Sequence, residues 1–198
     1  MKKKANTVFE KAQEKWKQGK NRKSFKLYKK CALMGNTICY EYLAYMYSDS
    51  KGVQKNLTKA MYWYRQAEEA GHYCHHAIAY MYDVGEGVKK DKDKAMYWYK
   101  KGVERDDSIS MHNIAILYRE QYKYKKMLKW FKKALKHNDG DASLEIAKIY
   151  LAKAKIQKAI KYLKIAVNHK SITPYDREKS QLYLDRIEKF CSTPRLVI

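Results

Sequence analysis

The residues best suited to chemistry lie close together at 72–76, where three histidines and a cysteine could hold a metal ion. His72 and His76 are four residues apart, so a helix would place them on one face while Cys74 points elsewhere. A tetrahedral zinc site needs a second pair of ligands, and no other Cys/His pair in the sequence has zinc-finger spacing. We therefore expect no metal, and we expect Cys74 to pack as a small core residue.

Two short motifs have the letters of enzyme active sites. Ser48 and Lys51 form an S-x-x-K motif, but the K-T-G and S-D-N motifs that complete such a serine site are missing. The glycine-rich segment 85–88 lacks the preceding strand and the Lys-Ser/Thr pair of a phosphate-binding loop. Because no nucleophile, general base or cofactor motif forms a constellation, we expect a protein that is not an enzyme and has no cofactor.

An internal repeat predicts the fold. The string KAMYWY occurs at 59–64 and again, 35 residues later, at 94–99. Upstream of both strings lies a second element, apolar–Ala–x–apolar–Tyr, which also recurs twice later in the chain. The four copies of this second element begin at Leu43, Ile78, Ile114 and Ile146. Both elements place apolar residues at i, i+1, i+3 and i+4, which is one face of an α-helix.

Each repeat is therefore a pair of helices, A and B, whose apolar faces are buried when neighbouring pairs stack. The pattern predicts an all-α fold, a right-handed α–α superhelix (solenoid) of about five helical hairpins with a C-terminal capping helix. We assign 1–198 to a single repeat domain. The expected hairpins are 5–34, 36–70, 72–106, 108–138 and 140–169, and the expected capping helix is 174–190.

Turns and the capping helix carry further expectations. Glycines after helix B are expected to end that helix in a left-handed conformation; they are Gly35, Gly71 and Gly140. In the capping helix, the side chains predicted to face the core are Leu182, Leu184 and Ile187.

These repeats resemble Sel1-like repeats, which are relatives of the tetratricopeptide repeat. The best match is the third hairpin, with Tyr80-Met81-Tyr82, then Gly85-Glu86-Gly87-Val88, then Trp98-Tyr99. The resemblance is strong over 36–106, which holds two Sel1-like repeats, after a degenerate hairpin at 1–34. Over 108–169 the glycine-valine loop is missing, and two shorter repeats are similar to tetratricopeptide hairpins.

The resemblance implies a non-enzymatic scaffold or adaptor, often bacterial, that binds a partner protein or peptide in its concave groove. Helix A lines that groove in the family, so helix A residues outside the apolar pattern are the predicted contacts. They are Tyr40, Glu41, Tyr45, His75, His76, Tyr80, Met111, His112 and Arg119. Tyrosine suits an interface because its rigid ring gives contact area at low entropic cost. Alternatively, some of these tyrosines cover seams between helices.

The resemblance also bears on the cysteines. Cys31 and Cys39 are eight residues apart across a turn from helix B to the next helix A, which is similar to a disulfide-bridged subgroup of the family. Only one repeat carries the pair, and the sequence begins without a signal peptide. We therefore expect a cytoplasmic protein whose thiols are reduced. Two alternatives stay open: the two cysteines could pair, and the protein could be delivered into another cell or host.

Charge offers an alternative function. The chain has 43 Lys and Arg against 21 Asp and Glu, a formal net charge of +22. The excess lies in Lys-rich flanks, +10 in 1–30 and +11 in 119–170, while 31–90 is neutral. These flanks could bind nucleic acid or another acidic surface. Only seven of the cations are Arg, and Lys lacks the planar fork that reads bases. The favoured partner is therefore a protein or peptide, and the flanks would attract an acidic one. No apolar run approaches the roughly 18 residues of a membrane span, and the sequence does not define the oligomeric state.

Overall fold

The structure, a computed structural model, describes residues 2–192 and the side chains of 3–190. Within that range it is all α-helical, without strands, as the repeat predicts. The helices are α1 (Lys2–Lys17), α2 (Asn21–Leu33), α3 (Ile38–Ser48), α4 (Leu57–Glu69), α5 (His75–Val84), α6 (Lys92–Val103), α7 (Ser108–Glu120), α8 (Tyr124–Lys136), α9 (Asp141–Ala152), α10 (Ile156–Asn168) and α11 (Pro174–Ser192).

The first ten helices follow the A and B pattern, with odd-numbered helices as helix A. Direct packing joins α1 to α2, α3 to α4, α7 to α8 and α9 to α10. The fifth and sixth helices are joined through Asp83 at the end of α5, which accepts hydrogen bonds from Tyr99 (3.4 Å) and Lys92. Successive pairs also stack, since α2 packs on α3, α4 on α5 and α8 on α9.

The small residue of helix A explains how closely the helices approach. It is an alanine that is fully buried in all four clear copies of the repeat, Ala44, Ala79, Ala115 and Ala147. A larger side chain here would hold the partner helix away, because protein cores are packed without spare volume. The repeated alanine thus fixes the spacing inside each stack.

The chain divides into two compact units, unit 1 (Met1–Gly102) and unit 2 (Val103–Ile198). The core of unit 1 includes Tyr28 and Leu43, both fully buried. Unit 2 has one cluster around Phe131 and Ile146 and another around Leu163. The single repeat domain over 1–198 stays a prediction.

Glycines end two of the B helices as predicted, and a third glycine has a different role. Gly35 and Gly71 have φ of 83° and 86°, in the left-handed region that other residues avoid. Gly140 has φ of −65° instead, and the prediction for it is wrong. A Cβ on Gly140 would lie 2.6 Å from Nδ1 of His169, so glycine is needed for this close approach.

The segment 85–88 forms the loop between α5 and α6, as the repeat predicts. Gly87 has φ of 70°, and a Cβ there would lie 2.5 Å from the carbonyl carbon of Leu57, the first residue of α4. Gly52 makes the equivalent approach to Asn21, the first residue of α2. In these two repeats, the loop glycine therefore allows the A–B loop to pack directly against the start of the preceding helix B.

The last helix packs on α10 and α9, in the position expected of a capping helix. Leu184 is buried and Ile187 packs against the same cluster. Leu182 is 48% exposed, so its predicted inward position is wrong. Residues two apart on a helix point about 200° apart, which prevents Leu182 and Leu184 from sharing a face. Among the described helices, none combines the length and apolar character of a membrane span.

Candidate functional site

A cavity of about 350 Å³ lies within unit 1, between α1, α3, α4 and the start of α5. We call it the aromatic cavity. Its lining residues are Trp16, Glu41, Tyr42, Tyr45, Tyr64, Cys74, His76 and Ala77. Three of them, Glu41, Tyr45 and His76, are among the contact residues that the sequence predicts.

The repeat itself positions these side chains. Glu41 and Tyr45 are four residues apart on α3, so they share one helix face. His76 and Tyr80 take the same positions on α5, 35 residues later. Tyr45 is 38% exposed and Tyr80 is 49% exposed. These four residues, which we call the helix A surface of unit 1, form a repeated polar and aromatic face.

Ring contacts hold the walls of the aromatic cavity. Trp16 meets Tyr45 edge to face, with ring centroids 5.9 Å apart. Tyr42 stacks on the buried Tyr28 at 4.6 Å, and its hydroxyl accepts a hydrogen bond of 3.1 Å from Nε2 of Gln13. Such contacts restrict side-chain rotation, so the cavity is formed before any ligand arrives.

Burial keeps two ionisable groups of the cavity neutral. The pKa of the Cys74 thiol is raised to about 12, mostly by burial and in part by the nearby carboxylates of Glu41 and Glu68. Burial likewise raises the pKa of Tyr64 to about 12, with a hydrogen bond to Ser48 opposing the shift. The carboxylates of Asp49 and Glu41 also contribute to the raised pKa of Tyr64. Carboxylates of α3 and α4 therefore lie near these two groups.

Three predicted contact residues pack into the protein instead. His75 is 8% exposed and Met111 is 0% exposed, so their assignment to a binding surface is wrong. Tyr40 is half-buried, with its ring 5.3 Å from that of Trp63, as the seam interpretation expects. Each lies three residues before the first apolar residue of its helix A motif, which places it on the packed face.

His75 has structural partners on two sides. Its Nε2 lies 3.5 Å from Oε1 of Glu68, and its ring stacks on Trp98 with centroids 6.0 Å apart. The side chain therefore links α5 to α4 and α6.

The remaining two predicted residues lie in unit 2, where both contact carboxylates. Nδ1 of His112 lies 2.6 Å from Oδ2 of Asp139, and Nη1 of Arg119 donates to Oε2 of Glu145 at 3.2 Å. These pairs join α7 to the following helix A and the turn before it. Neither His112 nor Arg119 is among the lining residues of the aromatic cavity.

The histidine and cysteine cluster at 72–76 is dispersed by the fold. Nε2 of His72 lies 2.9 Å from Oγ1 of Thr37, and Cys74 is buried as predicted. Among the described side chains, those of 3–190, no three His, Cys, Asp or Glu come together as a metal site.

Cys31 and Cys39 form a disulfide, with their Cα atoms 6.4 Å apart. Both are fully buried in the core of unit 1, where the turn between α2 and α3 brings them together. The expectation of reduced thiols is therefore wrong for this pair.

Three aromatic lining residues were missed by the sequence analysis. Trp16 lies on α1, where the repeat motif is too degenerate to align, although Ala12 and Trp16 have helical i, i+4 spacing. Tyr64 belongs to the helix B element, and the pattern marks it as a packing residue, whereas Tyr42 lies just before the helix A element that begins at Leu43. They do pack, but their rings also reach the cavity.

The chain belongs to the Sel1 repeat family. The sequence profile of that repeat matches 38–72, 73–107, 125–139 and 149–171, which together make up more than half of the chain. The first two matches coincide with the hairpins of α3–α4 and α5–α6. No curated protein matches the sequence.

Solved structures share the fold. A Sel1 repeat protein from Oxalobacter formigenes superposes with a TM-score of 0.73 at 20% identity, covering 93% of this chain and 85% of the other. The protein c5321, a protective antigen present in uropathogenic Escherichia coli strains, gives 0.68 at 22% identity, covering 86% of this chain and 37% of its own. The immunity protein Pa5087 from Pseudomonas aeruginosa gives 0.58 at 16%, covering 92% and 81%.

Proposed function

We propose that this protein is a non-enzymatic scaffold or adaptor that binds a partner protein or peptide on the helix A surface of unit 1. Sel1 repeat proteins generally mediate protein–protein interactions. The observation that carries the proposal is the aromatic cavity, which opens beside the exposed Tyr45 and is lined by residues of the helix A surface.

The composition of this surface supports protein binding. Tyr and Trp are enriched at the energetic centres of interfaces, where they fill preformed pockets. The cavity has the size of a small ligand site, about 300 Å³ and upward, and its rings are held by neighbouring aromatics. A preformed pocket lowers the entropic cost of binding.

We assign the Lys-rich flank of unit 2 a supporting role in protein binding, in preference to a nucleic-acid site. On α8 the lysines form a solvent-exposed face opposite the buried Met127 and Phe131. Nζ of Lys126 lies 5.4 Å over the Tyr118 ring, and Nζ of Lys133 lies 5.1 Å over the Trp130 ring. These two rings, on which bases would stack, are in contact with the protein's own lysines, while Tyr122 and Tyr124 of the same flank are exposed. The flank then serves to attract acidic partners at long range.

Partner capture with matched variants tests the proposal. The test variant is Tyr45→Ala/Tyr80→Ala, and the control is Tyr62→Ala/Tyr97→Ala, which removes two helix B tyrosines that are each 55% exposed. We expect nuclease-treated lysate to yield partners that the wild type and the control retain and the test variant loses. Retention should persist at about 0.5 M salt, where exposed charges are screened.

Two results would overturn the proposal. One is that the test variant retains the same proteins as the control, while circular dichroism shows both to be folded. The other is that nuclease treatment or high salt removes every captured partner, which would support binding of nucleic acid or another acidic surface by the Lys-rich flanks. The cytoplasmic location stays a proposal beside this one.

A further inference from the structure

The aromatic cavity combines two kinds of group that recognise organic cations. Four aromatic side chains, Trp16, Tyr42, Tyr45 and Tyr64, line it together with the Glu41 carboxylate. Aromatic faces attract ammonium and guanidinium groups through the ring quadrupole, and a carboxylate accepts charge-assisted hydrogen bonds from them. The described lining contains neither Lys nor Arg.

We propose that the aromatic cavity binds one basic side chain, a lysine or an arginine, presented by a segment of the partner protein. This inference rests on the proposed function and names the chemistry of the partner at that surface.

The same chemistry occurs inside unit 1, with the cation supplied by the chain itself. Nζ of Lys101 lies 4.7 Å over the Trp98 ring and 5.2 Å over the Tyr97 ring. The same nitrogen is 3.9 Å from Oε1 of Glu68. One lysine thus contacts an indole ring, a phenol ring and a carboxylate at the same time. The aromatic cavity offers the same three groups without an internal lysine in its lining.

Charge around the cavity favours a cation over an anion. Carboxylates of Glu41, Asp49 and Glu68 lie close enough to raise the pKa of Tyr64 or Cys74. Residues 31–90, which supply seven of the eight lining residues, carry no net charge, whereas Trp16 comes from the basic segment 1–30. A strongly basic peptide would be repelled by the flanks. The partner segment should therefore present a single basic side chain among neutral or acidic neighbours.

Small amides of single amino acids test this inference directly. The probes are the methylamides of Nα-acetyl-lysine and Nα-acetyl-arginine, with the Nα-acetyl-norleucine methylamide as an uncharged control. The readout is the indole N–H resonance of Trp16 in a ¹H–¹⁵N spectrum, assigned with Trp16→Phe. We expect the two cationic amides to shift this resonance with millimolar affinity, and the norleucine amide to have no comparable effect.

Matched variants separate the cavity from general electrostatics. Glu41→Gln should weaken binding of the lysine amide about tenfold, equivalent to about 1.4 kcal/mol. Glu69→Gln removes the same charge from an exposed residue outside the cavity lining, and should leave binding unchanged. Tyr45→Leu, which keeps apolar contact and removes the aromatic face, should also weaken binding.

The inference is overturned if the norleucine amide shifts the Trp16 resonance as strongly, if neither cationic amide shifts it, or if Glu41→Gln and Glu69→Gln have equal effects. If the amides fail while Tyr45→Ala/Tyr80→Ala still loses its partners, the proposed function stands and only the basic side chain is wrong. If both fail, the helix A surface is not the binding site.

Discussion

Buried ionisable side chains determine how unit 1 responds to pH. Burial raises the pKa of Tyr28 and of Tyr64 from 10 to about 12, and that of Cys74 from 9 to about 12. The native protein therefore holds these protons more tightly than the unfolded chain does. The Cys74 thiol and the Tyr64 phenol of the aromatic cavity remain protonated at neutral pH.

We expect the free energy of unfolding to decrease as the pH rises from about 9 to about 12. Well below pH 9 all three groups are protonated in both states, so they contribute no pH dependence there. Between these values the unfolded chain releases protons that the native state retains, which favours unfolding. The measurement is the urea midpoint of tryptophan fluorescence at several pH values, since three of the four tryptophans lie in unit 1. The reverse trend, with the midpoint increasing over this range, would contradict the assigned burial.

Position on helix A shows how much of the site can be predicted from sequence. Glu41, Tyr45 and His76 reach the cavity because they lie off the apolar stripe, and the pattern alone indicates this. His75 and Met111 were assigned to the same surface, although their i, i+3 relation to the buried Ile78 and Ile114 places them on the packed face. That error was avoidable from helical geometry.

Loops and turns link the helices into stacks, and the loop glycines are central to this. Gly87 needs both a left-handed backbone and the absence of a side chain beside Leu57. Gly71 needs only the left-handed backbone, since nothing lies within 4 Å of its Cβ position. The two positions therefore separate backbone conformation from close packing.

We expect Gly87→Ala to destabilise the protein more than Gly71→Ala does. A left-handed alanine costs about 1–2 kcal/mol, which is the whole effect expected at Gly71. At Gly87 the overlap with the Leu57 backbone adds about 1–3 kcal/mol. Denaturant unfolding of the two variants provides the comparison. Equal losses would mean that the loop does not press on α4.

The Cys31–Cys39 disulfide links the end of α2 to the start of α3. With a sequence separation of eight residues, its removal should cost about 2–3 kcal/mol by the loop-entropy relation. We expect Cys31→Ala/Cys39→Ala to lower the urea midpoint accordingly. Alkylation in denaturant before reduction, followed by peptide mass spectrometry, should leave both cysteines unmodified in oxidised wild-type protein. Modification of both in that sample would show that the bond does not form.

The elements of this fold were predictable because each repeat contains its own helical period and turn residues. Pairing of Cys31 with Cys39 was not, since spacing does not reveal whether two side chains enter the same core. The repeat pattern also could not predict that Trp16 lines the aromatic cavity, because α1 lacks a clear copy of the repeat. Contacts between elements, such as the Trp16–Tyr45 ring pair, arise only from the folded unit.

Seven of the eight lining residues of the aromatic cavity lie in 31–90, and the eighth, Trp16, lies on the Lys-rich α1. The net charge of +22 belongs largely to the Lys-rich flanks, while 31–90, which includes α3 and α5, is neutral. Lysines outside the cavity lining affect association rates more than the stability of the complex. The repeats, and the aromatic cavity that they build in unit 1, are therefore the basis of the proposed function.

Hydroxyl-radical footprinting of the complex with a captured partner tests the central claim most directly, because tyrosine and tryptophan oxidation reports side-chain exposure. We predict that partner binding slows oxidation of Trp16, Tyr45 and Tyr80, and leaves Tyr62 and Tyr97 unchanged. Protection of Tyr62 and Tyr97, or of the α8 residue Tyr124, with no change at Tyr45 and Tyr80, would contradict binding on the helix A surface.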